Sequence, residues 1–143
     1  MLTKILSTAH ATATGGRNGH AKSDDGLIDV DLSVPKSMGG PGKPNTTTPE
    51  HLFAAGYSAC FGGACEHMGN QLKLVAKSFE VAAEVNLGLV QGGAFGLTVT
   101  LKVKVTGLSQ SDAQKVVQAG HELCPYSNAI KGNVPVEIIV TAV

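Results

Sequence analysis

An α+β fold with two mainly antiparallel sheets is predicted for this sequence. Three observations point there. Stretches that alternate apolar and polar residues flank glycine turns, one long proline-free segment is rich in small residues, and the elements follow the order β-β-α-β-β-α-β. The chain has 143 residues, 43% of them apolar and 15% charged. That is enough apolar material for a core, and a single domain over 1–143 is expected. Trp is absent and aromatics are 4%, so the core has to be built from Val, Leu, Ile and Ala.

Residues 3–14, rich in Thr and small side chains, read as a first strand. Gly15 to Gly19 is a glycine-dense turn around Arg17. From Leu27 to Val34, Ile28, Val30, Leu32 and Val34 alternate with Asp29, Asp31 and Ser33, a half-buried strand. Pro35 to Pro49 holds four prolines and three glycines. It reads as a loop of about fifteen residues, long for a compact domain.

A helix starts at Thr48, an N-cap followed by Pro49 at the first helical position and Glu50 at the positive end of the dipole. It extends to about Leu74. Ala54, Ala55, Gly56, Ala59, Gly62 and Gly63 would let another helix approach closely, so it reads as central and buried almost all round. Val81–Leu89 and Leu97–Val105 alternate around Gly92-Gly93, a hairpin with one wet face. Ser109 with Asp112 three residues on starts a second helix, to about Leu123. Pro125 opens a short helical turn ended by Gly132, and Val136–Val143 is the last strand.

Charge and length exclude several classes. Ten Lys and one Arg balance five Asp and six Glu, for a net charge of zero. No cationic excess exists to hold a polyanion, so nucleic acid is not expected. No run approaches ~18 apolar residues, and the N-terminus lacks a signal-peptide pattern, so no membrane span and a cytoplasmic location are expected. Three cysteines without C-x-x-C match no zinc template, and no H-x-x-x-H pair exists. A zinc-dependent hydrolase is accordingly disfavoured.

Cys60 lies near the middle of the central helix, where a packed small residue would also fit. Cys65, five residues on, is ~7.5 Å further along a continuous helix and beyond disulfide reach. It is taken as structural. Cys124 precedes Pro125 and should cap the turn that follows. There the exposed N–H groups would favour a thiolate, although a plain capping role would leave the same pattern. Arg17 is the only arginine in the chain, in a turn where the backbone can approach another group. Glu50 taken alone serves the helix dipole.

Three blocks together carry a resemblance. Ala13-Thr-Gly-Gly-Arg17, Thr48-Pro-Glu-His-Leu-Phe-Ala-Ala-Gly-Tyr-Ser-Ala-Cys60 and His121-Glu-Leu-Cys-Pro-Tyr-Ser-Asn-Ala129 resemble the organic hydroperoxide resistance proteins of the osmotically inducible protein C superfamily. The likeness covers essentially the whole chain. Gly120 stands where Ala is expected, Ile130 where Thr is expected, and Cys65 is an extra thiol.

The resemblance implies an intertwined homodimer and a thiol-dependent peroxidase acting on organic hydroperoxides. It makes Cys60 the peroxidatic thiol, Cys124 the resolving thiol, and Arg17 with Glu50 the activating pair. It implies no bound cofactor, and recycling by an external dithiol, dihydrolipoamide or a lipoylated protein. Tyr57 and Phe53 near Cys60, and Met38 in the long loop, are candidate substrate-binding residues; Phe61 reads as core. A thiol redox sensor or a non-catalytic binding protein of the same fold is the alternative.

Glu50 and Cys60 are ten residues apart, ~15 Å along a straight helix. Both cannot touch one Arg17 unless the helix breaks near Gly56 or a second subunit supplies Glu50 and Arg17.

Overall fold

In the N-terminal part, glycine stereochemistry decides where the chain turns. The computed structural model describes all 143 residues, which fall into two compact units, Met1–Leu52 and Phe53–Val143. In the first, strands β1 (Ala11–Thr14), β2 (His20–Ser23) and β3 (Asp29–Asp31) form an antiparallel meander. Gly15 and Gly16, at φ 73° and 58°, lead into a 3₁₀ turn, Gly16–Asn18. A side chain at Gly19 would run into the Thr14 carbonyl, so only glycine closes this connection.

The strands are shorter than predicted. Of residues 3–14 only the last four join the ladder. Ile5 and Leu6 stand 71% and 87% exposed, so nothing within the unit rewards their pairing. Within Leu27–Val34 only Asp29–Asp31 are laddered, because the partner β2 is itself four residues long. Strand β2 was not predicted: His-Ala-Lys-Ser has no apolar alternation. Its ladder is reinforced by His20, which contacts Asp29 at 2.7 Å and Asp31 at 2.8 Å across the sheet.

The proline-rich segment is less loose than its composition suggests. Lys36–Met38 forms a 3₁₀ turn, and the Gly40 and Gly42 amides donate to the Pro35 and Val34 carbonyls. The buried Ser33 hydroxyl accepts from the Lys43 amide at 3.0 Å.

Helix α1 (Pro49–Gln71) begins where the sequence places it. The Thr48 hydroxyl accepts from the His51 amide at 3.2 Å, as an N-cap should. In the second unit it packs on a sheet of order β4 (Ser78–Leu89), β5 (Phe95–Thr106), β6 (Val136–Ala142). β4 and β5 are an antiparallel hairpin turning at Gly92 and Gly93, both at positive φ.

β6 lies parallel to β5, which a short turn cannot achieve. The crossover is α2 (Gln110–Leu123) followed by α3 (Pro125–Ile130). Ser109 caps α2, accepting from the Asp112 amide at 3.1 Å. Alternation along β5 buries Val99, Leu101, Val103 and Val105 against Tyr57, Phe61, Ala64 and Cys65 of α1 and Ala113, Val116 and Val117 of α2. Each Val, Leu or Phe among them contributes about 1.5–3 kcal/mol. Helix α1 is not buried all round, however: Ala55, Ala59 and Gly63 form an exposed stripe of small residues.

Candidate functional site

Two constellations contain the residues singled out from the sequence. The first lies in the N-terminal unit. Arg17, in the 3₁₀ turn behind Gly15 and Gly16, donates from Nη1 to Glu50 Oε2 at 2.9 Å and from Nη2 to Glu50 Oε1 at 2.7 Å. Both guanidinium branches are engaged in a fork-to-fork pair, which lysine could not reproduce. The Arg17 hydrogen bonds hold the Glu50 carboxyl below the usual carboxylate range, and those same bonds raise Arg17 further. Asn18, next in the turn, accepts from the Val34 amide at 2.9 Å and ties the turn to the chain beyond β3.

The second constellation lies in the other unit. Cys60 of α1 and Cys124 of the α2–α3 corner bring their sulfurs to 3.6 Å. All three cysteines are free thiols. A disulfide needs about 2.05 Å, so a modest approach of the two sulfurs would close one. Cys60 is half-buried and Cys124 has no exposed surface. Burial pushes the Cys60 thiol up, the Tyr126 backbone N–H pulls it back down, and Cys124 pushes it up again. Cys124 is the N-cap of α3 by position, but its side chain makes no capping hydrogen bond. The amide expected to favour a Cys124 thiolate instead serves Cys60.

Cys65 behaves differently. Its sulfur is fully buried, and burial, followed by charge on Cys124 and Glu66, pushes its thiol up to about 12. A Cβ on Gly120 would sit 2.6 Å from the Cys65 sulfur. Two of the three departures from the family pattern are therefore one packed contact, in which glycine makes room for the Cys65 sulfur and for that residue's backbone N and Cα, each 3.0 Å from such a Cβ.

The aromatic candidates divide. Tyr57 is fully buried, and its phenol pairs with Ser127 Oγ at 2.7 Å. It offers no surface to an alkyl tail. Phe53 is part-exposed and stacks on Tyr126, with ring centroids 6.0 Å apart and planes at 6°. Met38 is 41% exposed in the N-terminal unit. Tyr126, Ser127 and His121 were not singled out from the sequence as participants, although all three lie in the block that carried the resemblance. No group of three or more His, Cys, Asp and Glu is arranged to hold a metal ion, and no helix is long and apolar enough to cross a membrane.

Residues 40–139 match the family of OsmC-like proteins. The organic hydroperoxide resistance protein of Xanthomonas axonopodis pv. citri is 46% identical over 136 residues, covering 94% of each chain. OhrB of Bacillus subtilis, also an organic hydroperoxide resistance protein, is 46% identical over 93% of this chain and 96% of its own. The crystal structure of an organic hydroperoxide resistance protein from Legionella pneumophila superposes with a TM-score of 0.90 at 46% identity, covering 96% of this chain and 99% of that one. The match over residues 40–139, the 46% identity to organic hydroperoxide resistance proteins and an α+β architecture shared with the Legionella pneumophila structure lead to one conclusion: the chain belongs to the OsmC-like family, among its organic hydroperoxide resistance proteins.

Proposed function

We propose that this protein detoxifies organic hydroperoxides as a cysteine peroxidase. The observation that carries the reading is the 3.6 Å approach of Cys60 to Cys124. The Cys60 thiolate attacks the outer oxygen of ROOH and the O–O bond breaks. The inner oxygen takes a proton and leaves as the alcohol, and Cys60 becomes a sulfenic acid. The Cys124 thiolate then attacks the Cys60 sulfur, and the displaced hydroxide takes a proton to leave as water. An external dithiol, dihydrolipoamide or a lipoylated protein, reopens the disulfide.

Burial, with Cys124 beside it, favours the neutral form of Cys60 against the pull of the Tyr126 N–H, so the first step calls for a cation. Arg17 supplies it, steadied by Glu50, and its N–H groups would also stabilise charge developing on the peroxide oxygens. Helix α1 runs unbroken through Gly56, which removes the kink as a way to bring Glu50 and Cys60 together. The pair then reaches Cys60 from a second copy of the chain. The exposed Ala55, Ala59 and Gly63 stripe suits close helix contact in such a homodimer. Phe53 and Tyr126 would reward an alkyl tail at roughly 25 cal/mol per Å² buried, which hydrogen peroxide cannot exploit. Three unpaired cysteines suit a reducing cytoplasm.

The test is multiple-turnover consumption of cumene hydroperoxide with dihydrolipoamide. Sustained turnover, abolished in Cys60→Ser, is expected. Consumption that stops after one equivalent would turn the reading to a redox sensor. Mixing Cys60→Ser with Glu50→Ala subunits should restore part of the activity, and no recovery would rule out the shared site.

A further inference from the structure

Cys124 occupies a hinge. It is the single residue between α2 and α3, and its backbone, at φ −59° and ψ 121°, leaves the helical region as a residue before proline does. A change in φ here turns the thiol relative to α2, and a change in ψ turns it relative to α3. The direction of the Cys124 sulfur therefore depends on how firmly the corner is held.

The corner is closed by its own flanks. His121, three residues before Cys124, bonds through Nδ1 to Ser127 Oγ, three residues after it, at 2.9 Å. Beside this bond, Asn128 Nδ2 donates to the Glu122 carbonyl at 3.0 Å. The closed corner is then pinned to α1, because Ser127 Oγ also pairs with the Tyr57 phenol at 2.7 Å. One oxygen thus ties α3 to both neighbouring helices.

Spacing makes the Tyr57 bond a companion of the thiol contact. Tyr57 and Cys60 are three residues apart on α1 and share a face. Cys124 and Ser127 are three apart across the first turn of α3, which the Asn128 amide closes on the Cys124 carbonyl at 3.0 Å. The Tyr57–Ser127 bond and the 3.6 Å approach of Cys60 to Cys124 are neighbouring rungs between the same two helices, one turn apart. Tyr57 and Ser127 are buried, at 0% and 3% exposure. Phenylalanine with alanine would fill nearly the same space and leave no polar atom to satisfy. What the polar rung adds is direction, since a hydrogen bond has a preferred length and angle and apolar contact does not.

We propose that Ser127, held between Tyr57 and His121, is a positioning residue that aims the Cys124 sulfur at Cys60. It exchanges no proton or electron with either thiol. It acts on the effective concentration of one thiol at the other, which sets how readily the disulfide closes. Without the rung the hinge at Cys124 takes other angles, and bond closure first has to restore the alignment.

The inference rests on the thiol cycle proposed above, and the experiment separates the two. Diamide, which oxidises a dithiol to a disulfide, forms the Cys60–Cys124 bond without peroxide, and peptide mapping identifies it. The oxidised protein is then equilibrated with glutathione. The protein disulfide and two glutathione thiols give two protein thiols and one glutathione disulfide, and the balance measures the effective concentration. Tyr57→Phe and Ser127→Ala should each lower it about tenfold, which raises the reduction potential of the pair by about 30 mV. A role in folding alone costs the oxidised and reduced proteins equally and leaves the potential unmoved. The double variant removes both partners and leaves neither hydroxyl orphaned. Its urea midpoint in the reduced form should return close to that of the wild type, while its potential stays raised. Tyr57→Phe keeps the ring packed, so the measurement survives if Ser127→Ala fails to fold.

Wild-type potentials in every folded variant overturn the aiming role. So does a potential that recovers in the double variant, which would mark the bond as purely structural. Failure of the wild type to form a Cys60–Cys124 disulfide overturns the thiol cycle itself, and the aiming role with it.

Discussion

The Arg17–Glu50 pair and the Cys60–Cys124 pair are built by opposite means. The first is set by backbone stereochemistry and polar contacts: two left-handed glycines, an asparagine tether and a two-pronged ion pair, with the Arg17 side chain 40% exposed. The second is set by packing: a fully buried strand face and three helices hold two sulfurs at 3.6 Å, one buried and one half-buried. The contrast teaches that a charge can be aimed from a surface turn at little cost in stability, whereas a thiol pair has to be embedded. Substitutions at the two places should therefore separate chemistry from folding.

The largest expected effect is at the sulfurs. Cys60→Ser should lower hydroperoxide turnover by at least about a thousandfold, measured as peroxide consumed with excess dithiol. Cys124→Ser should still oxidise once at Cys60 and then stall, which mass spectrometry of the trapped sulfenic acid would show. Next comes the charged corner. Arg17→Lys keeps the charge and loses the fork, and should reduce kcat/KM about a hundredfold, or about 2.7 kcal/mol of transition-state stabilisation. The urea midpoint of the same variant should move by the equivalent of less than about 1 kcal/mol, since the pair is part-exposed. A large stability loss there would erase the proposed distinction.

A third prediction probes the embedded side without touching the Cys60–Cys124 pair. Gly120→Ala places a methyl against the Cys65 sulfur and should destabilise by about 1–3 kcal/mol in denaturant unfolding. Cys65→Ala in the same chain should return only the part of that loss due to the sulfur, because the backbone N and Cα of residue 65 stay 3.0 Å from the new methyl.

The smallest effect is electrostatic. Glu50 titrates below its ordinary value of 4.5 because Arg17 binds its charged form. Its contribution to stability is fully present above that unfolded value and is lost as pH falls through the lowered folded one. Carbon-13 NMR of the Glu50 carboxyl should show the depressed titration, and Arg17→Gln should return it towards the ordinary value.

What could be read from residues alone followed the same division. Local chemistry was legible: Thr48 and Ser109 cap their helices, Gly92 and Gly93 turn the hairpin, and apolar alternation put Val99 to Val105 on the inner face. Long-range pairing was not. His-Ala-Lys-Ser gives no strand signal, so β2 is visible only through its neighbours and the His20 contacts. Nothing in Val136–Ala142 announces a parallel partner. Ile5 and Leu6 have strand-forming character, but strand formation needs a surface that this unit lacks.

The blocks of sequence pointed to Arg17, Glu50, Cys60 and Cys124, which the structure gathers into two pairs. They did not reveal that Tyr126 lends its amide to Cys60, because a backbone donor leaves no trace in residue identity. Nor did proximity in sequence show that Tyr57 faces inward, since that depends on how α3 folds back to bring Ser127 against it.

The fit between Gly120 and Cys65 constrains the routes by which this protein can change. A methyl at 120 meets the sulfur at 65 and also that residue's backbone N and Cα, so shrinking 65 eases the crowding without removing it. Descendants that shrink 65 first would soften the later step to a methyl at 120 without making it free, and the reverse order passes through the more weakened intermediate.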